Sequence, residues 1–252
     1  MTSALQVDAG LQAQLELARQ VQLSLLPSRQ CCLSNWEAAF FYEPAGFVSG
    51  DYVDLIPSGA DEFYFALGDV SGKGVAASIL MSHLHASLRA LLPSKRTVAE
   101  VLTMVSRTFC ESTLHTQFAT LVLGKADDRG TVELVNAGHT AVVLIEDGTV
   151  RFIPETNLPL GMFCASDFSS EKQNIGPGST LLLDSDGITE STDLSGTEVD
   201  LAGVLEKLAP RGTLKLPDVL SKIHNSIAEI TSGAQPGDDR TMLALRWLPK
   251  GR

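Results

Sequence analysis

Four aspartates in this sequence stand close to glycine at the ends of predicted strands. They are Asp51 in VSGD, Asp69 in LGDVSGKG, Asp186 in LLLDSDG and Asp238 in GDDRT. The end of a strand fixes a side chain, and a nearby glycine lets the backbone come close to an ion or a substrate. Hard cations such as Mg²⁺ and Mn²⁺ prefer carboxylate, carbonyl and water oxygens as ligands. One Asp beside Gly is ordinary turn chemistry, but four from distant segments predict a site for divalent cations.

Other polar residues near these motifs are weaker candidates for a chemical role. His139 in NAGHT lies between two predicted strands, and we interpret it as a histidine that hydrogen-bonds a turn. Lys73 lies in a Gly-rich turn before a predicted helix, where it would either attract phosphate or simply be solvated. Glu190, just after the Asp186 turn, is interpreted as a residue that orients local backbone. The sequence has no Cys-based phosphatase loop and no convincing Ser-His-Asp arrangement, so nothing in it calls for a covalent phosphoenzyme.

The composition argues against several classes of function. The 252 residues include 30 Asp and Glu but only 19 Lys and Arg, which gives a formal net charge of -11. A basic face for nucleic acid or anionic lipid is therefore not indicated, and most of the carboxylates are expected to be solvated surface. No apolar run approaches the length that spans a bilayer, and the first residues lack the features of a signal peptide. We therefore expect a cytoplasmic protein without a membrane or nucleic-acid partner.

The cysteines indicate the redox setting. Cys31, Cys32, Cys110 and Cys164 form no C-x-x-C pair and no Cys/His pattern of a zinc site. We therefore predict reduced thiols in an intracellular setting.

The elements that must position the aspartates begin with an amino-terminal helix. Apolar residues recur at heptad positions from Ala4 to Leu25, and Pro27 ends the pattern. Such a helix would either fold onto its own domain or serve as a dimerising or signal-transmitting helix, and fewer than about four heptads do not decide between the two. We divide the chain into this helix, residues 1–27, and one large domain, residues 28–252.

The rest of the chain alternates between strand and helix patterns. Aromatic and β-branched strands are predicted first, and two helices that pack side by side follow them. The strands span 36–42, 52–56 and 62–67, and the helices span 74–92 and 97–111.

Four short strands separated by turns are then predicted to form an antiparallel meander. They span 118–124, 132–136, 141–145 and 150–153. A strand over 180–183, a helix over 216–230 and a strand over 242–247 complete the pattern. Runs of strands and runs of helices favour an α+β sandwich over a parallel doubly wound sheet.

Several motifs occur in a specific order that covers most of the chain. They are ARQVQLSLLP, EPAGFVSGDYVDL, FALGDVSGKGVAASILMSHL, QFATLVLGKAD, VNAGHTAVVL, NLPLGM, LLLDSDGITE and GDDRTMLAL. Together they resemble the protein-phosphatase-2C-like (PPM) family, and within it the bacterial SpoIIE and RsbU branch. The resemblance implies an α+β fold, a four-layer α-β-β-α sandwich in which helices flank two antiparallel sheets, with a metal site at one edge of the sheets.

The resemblance also implies roles for the residues of that site. By motif position, Asp69 would bridge two Mn²⁺ or Mg²⁺ ions. Asp51 and the backbone carbonyl of Val70 would bind one ion, and Asp186 and Asp238 the other. Asp69 would then be the catalytic residue, acting with a metal-bound water, because two cations lower the pKa of a shared water and orient its attack on phosphorus. The implied substrate is phosphoserine or phosphothreonine of a regulatory protein such as an anti-sigma-factor antagonist.

Some positions depart from the family pattern. Ser71 stands where better-known eukaryotic relatives have a histidine acid, and Ser49 replaces a glycine that is common in this branch. No arginine precedes the first metal motif in an obvious phosphate-binding place, so metal-bound water is the expected proton donor. Asp239 follows a ligand position and is a weaker ligand candidate.

Two alternative functions stay open on the residues alone. The first alternative is a docking module that retains the fold without hydrolysis, although the presence of all four aspartates weighs against it. The second alternative is a haloacid-dehalogenase-type phosphatase, with Asp184 of the DSDG segment as nucleophile. Asp184 lies late in the chain, after a predicted antiparallel meander, and residue 188 is Ile rather than Thr, which argues against that family. For the amino-terminal helix we favour a homodimer.

Overall fold

A computed structural model of the protein describes residues 9–249, apart from 95, 115, 194, 209–213 and 232–236. The strands are β1 (Gln30–Leu33), β2 (Trp36–Glu43), β3 (Tyr52–Ser58), β4 (Glu62–Val70), β5 (Ala119–Asp127), β6 (Thr131–Ala137), β7 (Val142–Glu146), β8 (Thr149–Ile153), β9 (Glu171–Asn174), β10 (Thr180–Asp184) and β11 (Arg240–Trp247). The helices are α1 (Ala9–Leu25), α2 (Gly74–Leu91), α3 (Val98–Ser112), α4 (Asp186–Thr189), α5 (Leu201–Leu208) and α6 (Leu216–Ile230).

The strands form two sheets in which all neighbouring strands are antiparallel. One sheet has the order β1-β2-β11-β10-β7-β8, and the other has the order β3-β4-β5-β6-β9. Helices α2 and α3 pack on the five-stranded sheet, and α5 and α6 pack on the six-stranded sheet. The predicted four-layer α-β-β-α sandwich is therefore confirmed.

Alternation along the strands builds the layers of the core. Successive side chains of a strand point to opposite faces. In β4, Phe63, Phe65 and Leu67 therefore pack between the two sheets, whereas Tyr64 and Ala66 pack towards α2 and α3. A third apolar layer lies between the six-stranded sheet and the helices α5 and α6. These apolar layers hold the two sheets in place, and the predicted site lies at the ends of strands in both sheets.

Strand pairing brings the site segments to one edge of the sandwich. The last residue of β2 pairs with Arg240, the first residue of β11, and Asp184 at the end of β10 pairs two residues further along β11. In the other sheet, Tyr52 at the start of β3 pairs with Gly68 near the end of β4. The four predicted aspartates lie at these strand ends: Asp69 within the last residues of β4, and the other three in the segments next to the strands.

The order of the middle strands differs from the predicted meander. Strands β5 and β6 pair in the five-stranded sheet, while β7 and β8 pair in the six-stranded sheet. The chain crosses between the sheets at the β6–β7 turn, so the prediction of one continuous meander is wrong. The hydrophobic alternation of a strand is the same in either sheet, and it does not show where the chain changes sheets.

The carboxyl-terminal end of helix α1 lies against the domain. Leu23 of this helix, and Leu26 just after it, pack against the apolar layer between the sheets. Earlier in α1, Leu11, Leu17 and Val21 are exposed. The first part of the predicted helix, residues 1–8, lies outside the described residues, and the domain boundary at residue 27 stays a prediction.

Two of the four cysteines are paired. A disulfide joins Cys110, near the end of α3, to Cys164, which lies 54 residues further along the chain. Cys31 and Cys32 are free thiols. The prediction of four reduced thiols is therefore wrong for one pair, because the fold rather than the spacing in sequence brings these two residues together. Within the described ranges, none of the helices is both long and apolar enough to cross a membrane.

Candidate active site

An open cleft of about 660 Å³ lies at the edge where the strand ends meet. Its walls come from the end of β4, the turn before α2, the β6–β7 turn, the segment after β8, α4 and the segment before β11. The carboxylates of this lining are Asp69, Glu155, Asp186, Glu190 and Asp238. Three of the four predicted ligand aspartates therefore share one solvent-accessible space.

Asp69 is the central carboxylate of the cleft. It is half-buried near the end of β4. Burial raises its pKa to about 7, and repulsion from Asp186 and Asp238 adds to the increase. A carboxylate with such neighbours is poorly stabilised as an anion, and a nearby positive charge would favour its ionised form.

Asp51 lies behind Asp69 and is 1% exposed. Its Oδ2 atom accepts hydrogen bonds from the hydroxyl groups of Ser185 and Thr241. Burial, together with the charge of Asp69, raises the pKa of Asp51 well above its usual value. Asp51 does not line the open cleft, so its predicted ligand role would be played from the protein side of the site.

Gly50 explains how the backbone comes close to the predicted ligands. A Cβ atom added at this position would lie 2.9 Å from Oδ1 of Asp69 and 2.9 Å from the carbonyl oxygen of Val70. Only glycine therefore fits against these two oxygens. The contact also shows that the Val70 carbonyl and the Asp69 carboxylate, both predicted ligands, face the same small space.

Asp186 and Asp238 form the opposite wall of the cleft. Burial raises the pKa of Asp186, followed by repulsion from Asp238 and Glu190. Asp238 pairs with Lys73, whose Nζ atom lies 2.7 Å from Oδ2 of Asp238 and also donates to the carbonyl of Gly237. Lys73 therefore balances the charge of a predicted ligand. It is not simply solvated, and its ammonium group is not available to phosphate alone.

Asp239 has a different role from its neighbour. Its Oδ1 atom accepts a hydrogen bond of 2.7 Å from the backbone N–H of Ala45, and its Oδ2 atom accepts one of 3.0 Å from that of Gly50. Both carboxylate oxygens thus hold the loop between β2 and β3. These contacts agree with the interpretation of Asp239 as a weaker ligand candidate than Asp238. They show that Asp239 holds the loop that precedes Asp51 in place.

The donor set suits hard divalent cations, which take carboxylate and carbonyl oxygens. Burial and then mutual repulsion raise the pKa of Asp51, Asp69 and Asp186, so a cation would relieve an unfavourable concentration of negative charge. In the part of the chain that the structure describes, no three acidic, His or Cys side chains stand close enough to share one ion. The residues therefore fit ions that keep several waters, as Mg²⁺ commonly does, rather than a closed cage of side chains.

His139 occupies a wall of the cleft but is tied into the β6–β7 turn. Its backbone N–H donates to Oδ1 of Asn136, and its Nδ1 atom lies 2.8 Å from the hydroxyl of Thr120. Burial lowers the pKa of His139 to about 4, so the ring is neutral at physiological pH. These contacts agree with the interpretation of His139 as a residue that hydrogen-bonds a turn.

Ser71, in the place of the histidine acid of eukaryotic relatives, also binds backbone. Its hydroxyl accepts a hydrogen bond of 2.9 Å from the N–H of Phe118, while its own N–H donates to the carbonyl of Phe118. Ser71 thereby fixes the chain just before β5 to the turn after β4.

Asp184, the nucleophile of the alternative mechanism, is shut away from the cleft. It is 1% exposed and does not line the cleft. Burial, with repulsion from Asp186, raises its pKa to about 8. A buried, protonated carboxyl group is a poor nucleophile, so the geometry argues against the haloacid-dehalogenase-type reaction.

Two features of the site were missed from the sequence. The segment after β8 contributes Glu155 and Asn157 to the cleft, and only the NLPLGM motif pointed to this region. Gln22 of α1 reaches the loop before Asp51 through hydrogen bonds to Ser49. Residue spacing within a local sequence motif predicts neither contact, because each contact joins segments that are distant in the chain.

Two antiparallel sheets between layers of helices, with carboxylates gathered at the edge of both sheets, define the class of PP2C-type phosphatase folds. The resemblance seen in the sequence is confirmed at the level of the family. The chain belongs to the stage II sporulation protein E (SpoIIE) family, whose model matches residues 59–248.

Individual relatives agree with this assignment. The chain is 28% identical over 261 residues to Protein IcfG of Synechocystis sp., covering 92% of the chain and 41% of that protein. It is 24% identical over 245 residues to the phosphoserine phosphatase RsbU of Bacillus subtilis, covering 95% of the chain and 72% of RsbU. The SiaA-PP2C domain of Pseudomonas aeruginosa shares the fold, with a TM-score of 0.81 at 20% identity and coverage of 94% and 97% of the two chains. The chain thus spans less than half the length of IcfG.

Proposed function

We propose that this protein is a metal-dependent serine/threonine phosphatase that removes phosphate from a phosphorylated regulatory protein. The observation that supports this most strongly is the convergence of Asp69, Asp186 and Asp238 on one open cleft. The Val70 carbonyl and the Asp69 carboxylate also both lie close to Gly50. Membership of a family of PP2C-type serine phosphatases supports the same chemistry.

In this proposal Asp69 would serve both of two Mn²⁺ or Mg²⁺ ions, Asp51 and the Val70 carbonyl would serve one of them, and Asp186 and Asp238 would serve the other. At least one carboxylate of the second ion would act through a bound water, because no three acidic side chains among the described residues stand close enough to share one ion. Bound cations would lower the pKa of water and neutralise the phosphoryl oxygens of the substrate. The chain supplies the fixed geometry: Ser185 and Thr241 orient Asp51. Rigid positioning and charge stabilisation are the main requirements of phosphoryl transfer.

Lys73 supplies a positive charge within the cleft. Its ammonium group lies against Asp238, and the turn that contains it leads directly into α2. We propose that Lys73 helps to attract the phosphate when the Asp238 carboxylate binds a metal cation, since the ammonium group of Lys73 would then no longer be paired with that carboxylate. Glu155 and Glu190 ring the same space and would repel an unaccompanied phosphate, so the cations are needed for binding as well as for chemistry.

The substrate we propose is a small phosphorylated regulator such as an anti-sigma-factor antagonist, on the basis of the family resemblance. The open shape of the cleft suits a phosphorylated side chain presented on a protein surface. The cytoplasmic setting also stays a prediction, as does the absence of nucleic-acid and membrane partners.

A homodimer through α1 is the second part of the proposal. Leu11, Leu17 and Val21 leave exposed apolar surface on this helix, and a second copy of α1 would cover it. Light scattering should report a dimer at micromolar concentration, and a chain that starts after Pro27 should be monomeric. A full-length monomer, with activity and stability unchanged by the truncation, would contradict a dimerising role for α1.

The proposed reaction is tested by measuring phosphate release from a phosphoserine peptide with and without Mn²⁺. We expect release that depends on the metal, and we expect Asp69→Asn and Asp186→Asn to abolish it while the circular dichroism spectrum is unchanged. Asp184→Asn is the matched control, because it removes a nearby carboxylate that lies outside the cleft. Wild-type rates in Asp69→Asn at saturating Mn²⁺ would refute the site, and no release from folded wild type with Mn²⁺ or Mg²⁺ would favour the docking module.

A further inference from the structure

Apolar side chains border the candidate active site on one side. They are the exposed residues Leu114, Leu158, Met162 and Phe163 and the half-buried Phe118, which together are called the apolar rim. Leu158 and Phe118 also line the cleft that contains the predicted ligands. Large apolar side chains exposed beside a polar cleft are typical of a surface that binds another protein.

The apolar rim comes from two segments that the backbone holds side by side. One segment leads from α3 into β5, and the other leads from β8 into β9. Ala119 and Leu160 join the two segments by exchanging backbone hydrogen bonds of 3.0 and 2.8 Å. A Cβ atom added at Gly161 would lie 3.5 Å from a carbonyl oxygen of the first segment, so the contact continues beyond this pair. The apolar residues therefore belong to one surface.

Residues 162–163 of the rim lie between two attachments to helix α3. On one side, the N–H of Gly161 donates to the hydroxyl of Ser106 at 3.2 Å. On the other side, the disulfide joins Cys164 to Cys110. Ser106 and Cys110 are one helical turn apart and share a face of α3. A surface that is fixed in advance loses less conformational entropy when a partner binds, so residues 162–163 are held ready for contact.

The position of the apolar rim indicates what would cover it. Because Leu158 lines the same cleft as Asp69, a phosphoserine that is bound at the aspartates brings its neighbouring residues onto the rim. Elsewhere the cleft is lined by further carboxylates, among them Glu155 and Glu190, which would repel acidic neighbours of the phosphoserine. Apolar neighbours would instead be stabilised by burial against the rim.

We propose that the apolar rim is the docking surface for apolar residues that flank the phosphoserine of the substrate protein, and that the Cys110–Cys164 disulfide holds part of this surface in its binding shape. The proposal rests on the proposed function, because the phosphoserine is bound at the predicted metal site. It defines a feature of the substrate, since large apolar residues beside the phosphoserine are preferred over small or acidic ones.

The test measures phosphate release, with Mn²⁺, from two phosphoserine peptides that differ only in having leucine or glycine on both sides of the phosphoserine. In wild type we expect kcat/KM to be roughly 10-fold higher for the leucine peptide, an effect of about 1.4 kcal/mol that burial of part of one leucine side chain would supply. Phe163→Ser and Leu158→Ser should each lose most of this preference. The glycine peptide is the internal reference, because a change in the chemical step alone leaves the ratio of the two peptides unchanged.

Leu248→Ser is the matched control for the rim variants. Leu248 is exposed to a similar degree as Leu158, 48% against 55%, and it follows β11 at the end of that strand opposite to the cleft. Leu248→Ser should therefore keep the wild-type ratio of the two peptides. Cys110→Ser cannot form the disulfide and should lower the ratio, as Phe163→Ser does. An unchanged ratio in Cys110→Ser would overturn the role of the disulfide.

Equal kcat/KM for the two peptides in wild type would overturn the docking surface and leave the proposed reaction intact. If the rim variants keep the wild-type ratio but change the oligomeric state in light scattering, the rim binds a second copy of this chain and the proposal is also overturned. If wild type releases phosphate from neither peptide with Mn²⁺ or Mg²⁺, the proposed function fails, and the fluorescence anisotropy of labelled peptides then decides the docking. Tighter binding of the leucine peptide to wild type than to Phe163→Ser supports the docking surface, and equal binding overturns it.

Discussion

Replacing Asp184 by asparagine should stabilise the protein in a way that depends on pH. The residue is 1% exposed, and neither of its carboxylate oxygens has a hydrogen-bond partner among the described residues. Burial, with repulsion from Asp186, raises its pKa to about 8, whereas an Asp in an unfolded chain has a pKa of about 3.9. At neutral pH the folded state therefore holds a proton that the unfolded state has released.

The size of the effect follows from this difference in proton binding. Between the two pKa values only the folded state keeps the proton on Asp184. The free energy of unfolding of the wild type therefore falls by about 1.4 kcal/mol for each unit of pH increase. The variant has no titrating group here, so its stability relative to wild type should improve by roughly 2.7 kcal/mol from pH 5 to pH 7. Below about pH 3 both states of the wild type are protonated, so the slope should vanish there.

Urea unfolding of metal-free protein in EDTA, at pH 5, 6 and 7, measures this slope. Asp61→Asn, which changes an exposed carboxylate in the turn between β3 and β4, serves as the control. With Mn²⁺ added, Asp184→Asn should keep substantial phosphatase activity. A difference in stability that is constant with pH would refute the burial argument. Loss of all activity, with a trapped phosphoenzyme in the wild type, would instead support Asp184 as a nucleophile.

Arg89→Ala should lower the free energy of unfolding by roughly 3 kcal/mol, because it strips two hydrogen bonds of 2.8 and 2.6 Å from the fully buried carboxylate of Asp54. Arg107→Ala breaks an exposed helical ion pair instead, and equal losses for the two variants in urea would contradict this reasoning. Reduction of the Cys110–Cys164 disulfide should lower stability by up to about 4 kcal/mol, since the cross-link closes a separation of 54 residues. Cys110→Ser should show no response to dithiothreitol, and an identical response in wild type and variant would refute the pairing.

The strands that the sequence predicted share a strong apolar pattern. Phe63, Phe65 and Leu67 alternate with residues of the other face in β4, and the core on both sides of that strand confirms the assignment. Strand β9, with the sequence EKQN, was missed because it carries no apolar alternation and exists only through its pairing with β6. The helices α4 and α5 are too short for a pattern of helical period to be distinguished from chance.

The sequence predicted which aspartates are candidate ligands, but not the contacts that connect them to the rest of the fold, and their role as ligands stays a prediction. The four aspartates were found because each stands at a strand end close to glycine, within a motif of the family. The contacts of Asp239 with Ala45 and of Gln22 with Ser49 join residues 194 and 27 positions apart, and no local rule links such positions. The ion pair of Lys73 with Asp238 was equally hidden, because it depends on the turn after β4 meeting the start of β11.

The position of β11 has a consequence for how the protein is made. This strand lies between β2 and β10 and pairs with both, although it comes after all the other described strands in the sequence. Until it has left the ribosome, the centre of the six-stranded sheet is missing, and Asp51 lacks the hydroxyl of Thr241. Pairing between strands as distant in sequence as β2 and β11 is also slow, because a long loop must close first. A nascent or truncated chain that lacks β11 therefore holds no assembled site, and the proposed reaction should begin only after this strand has been synthesised.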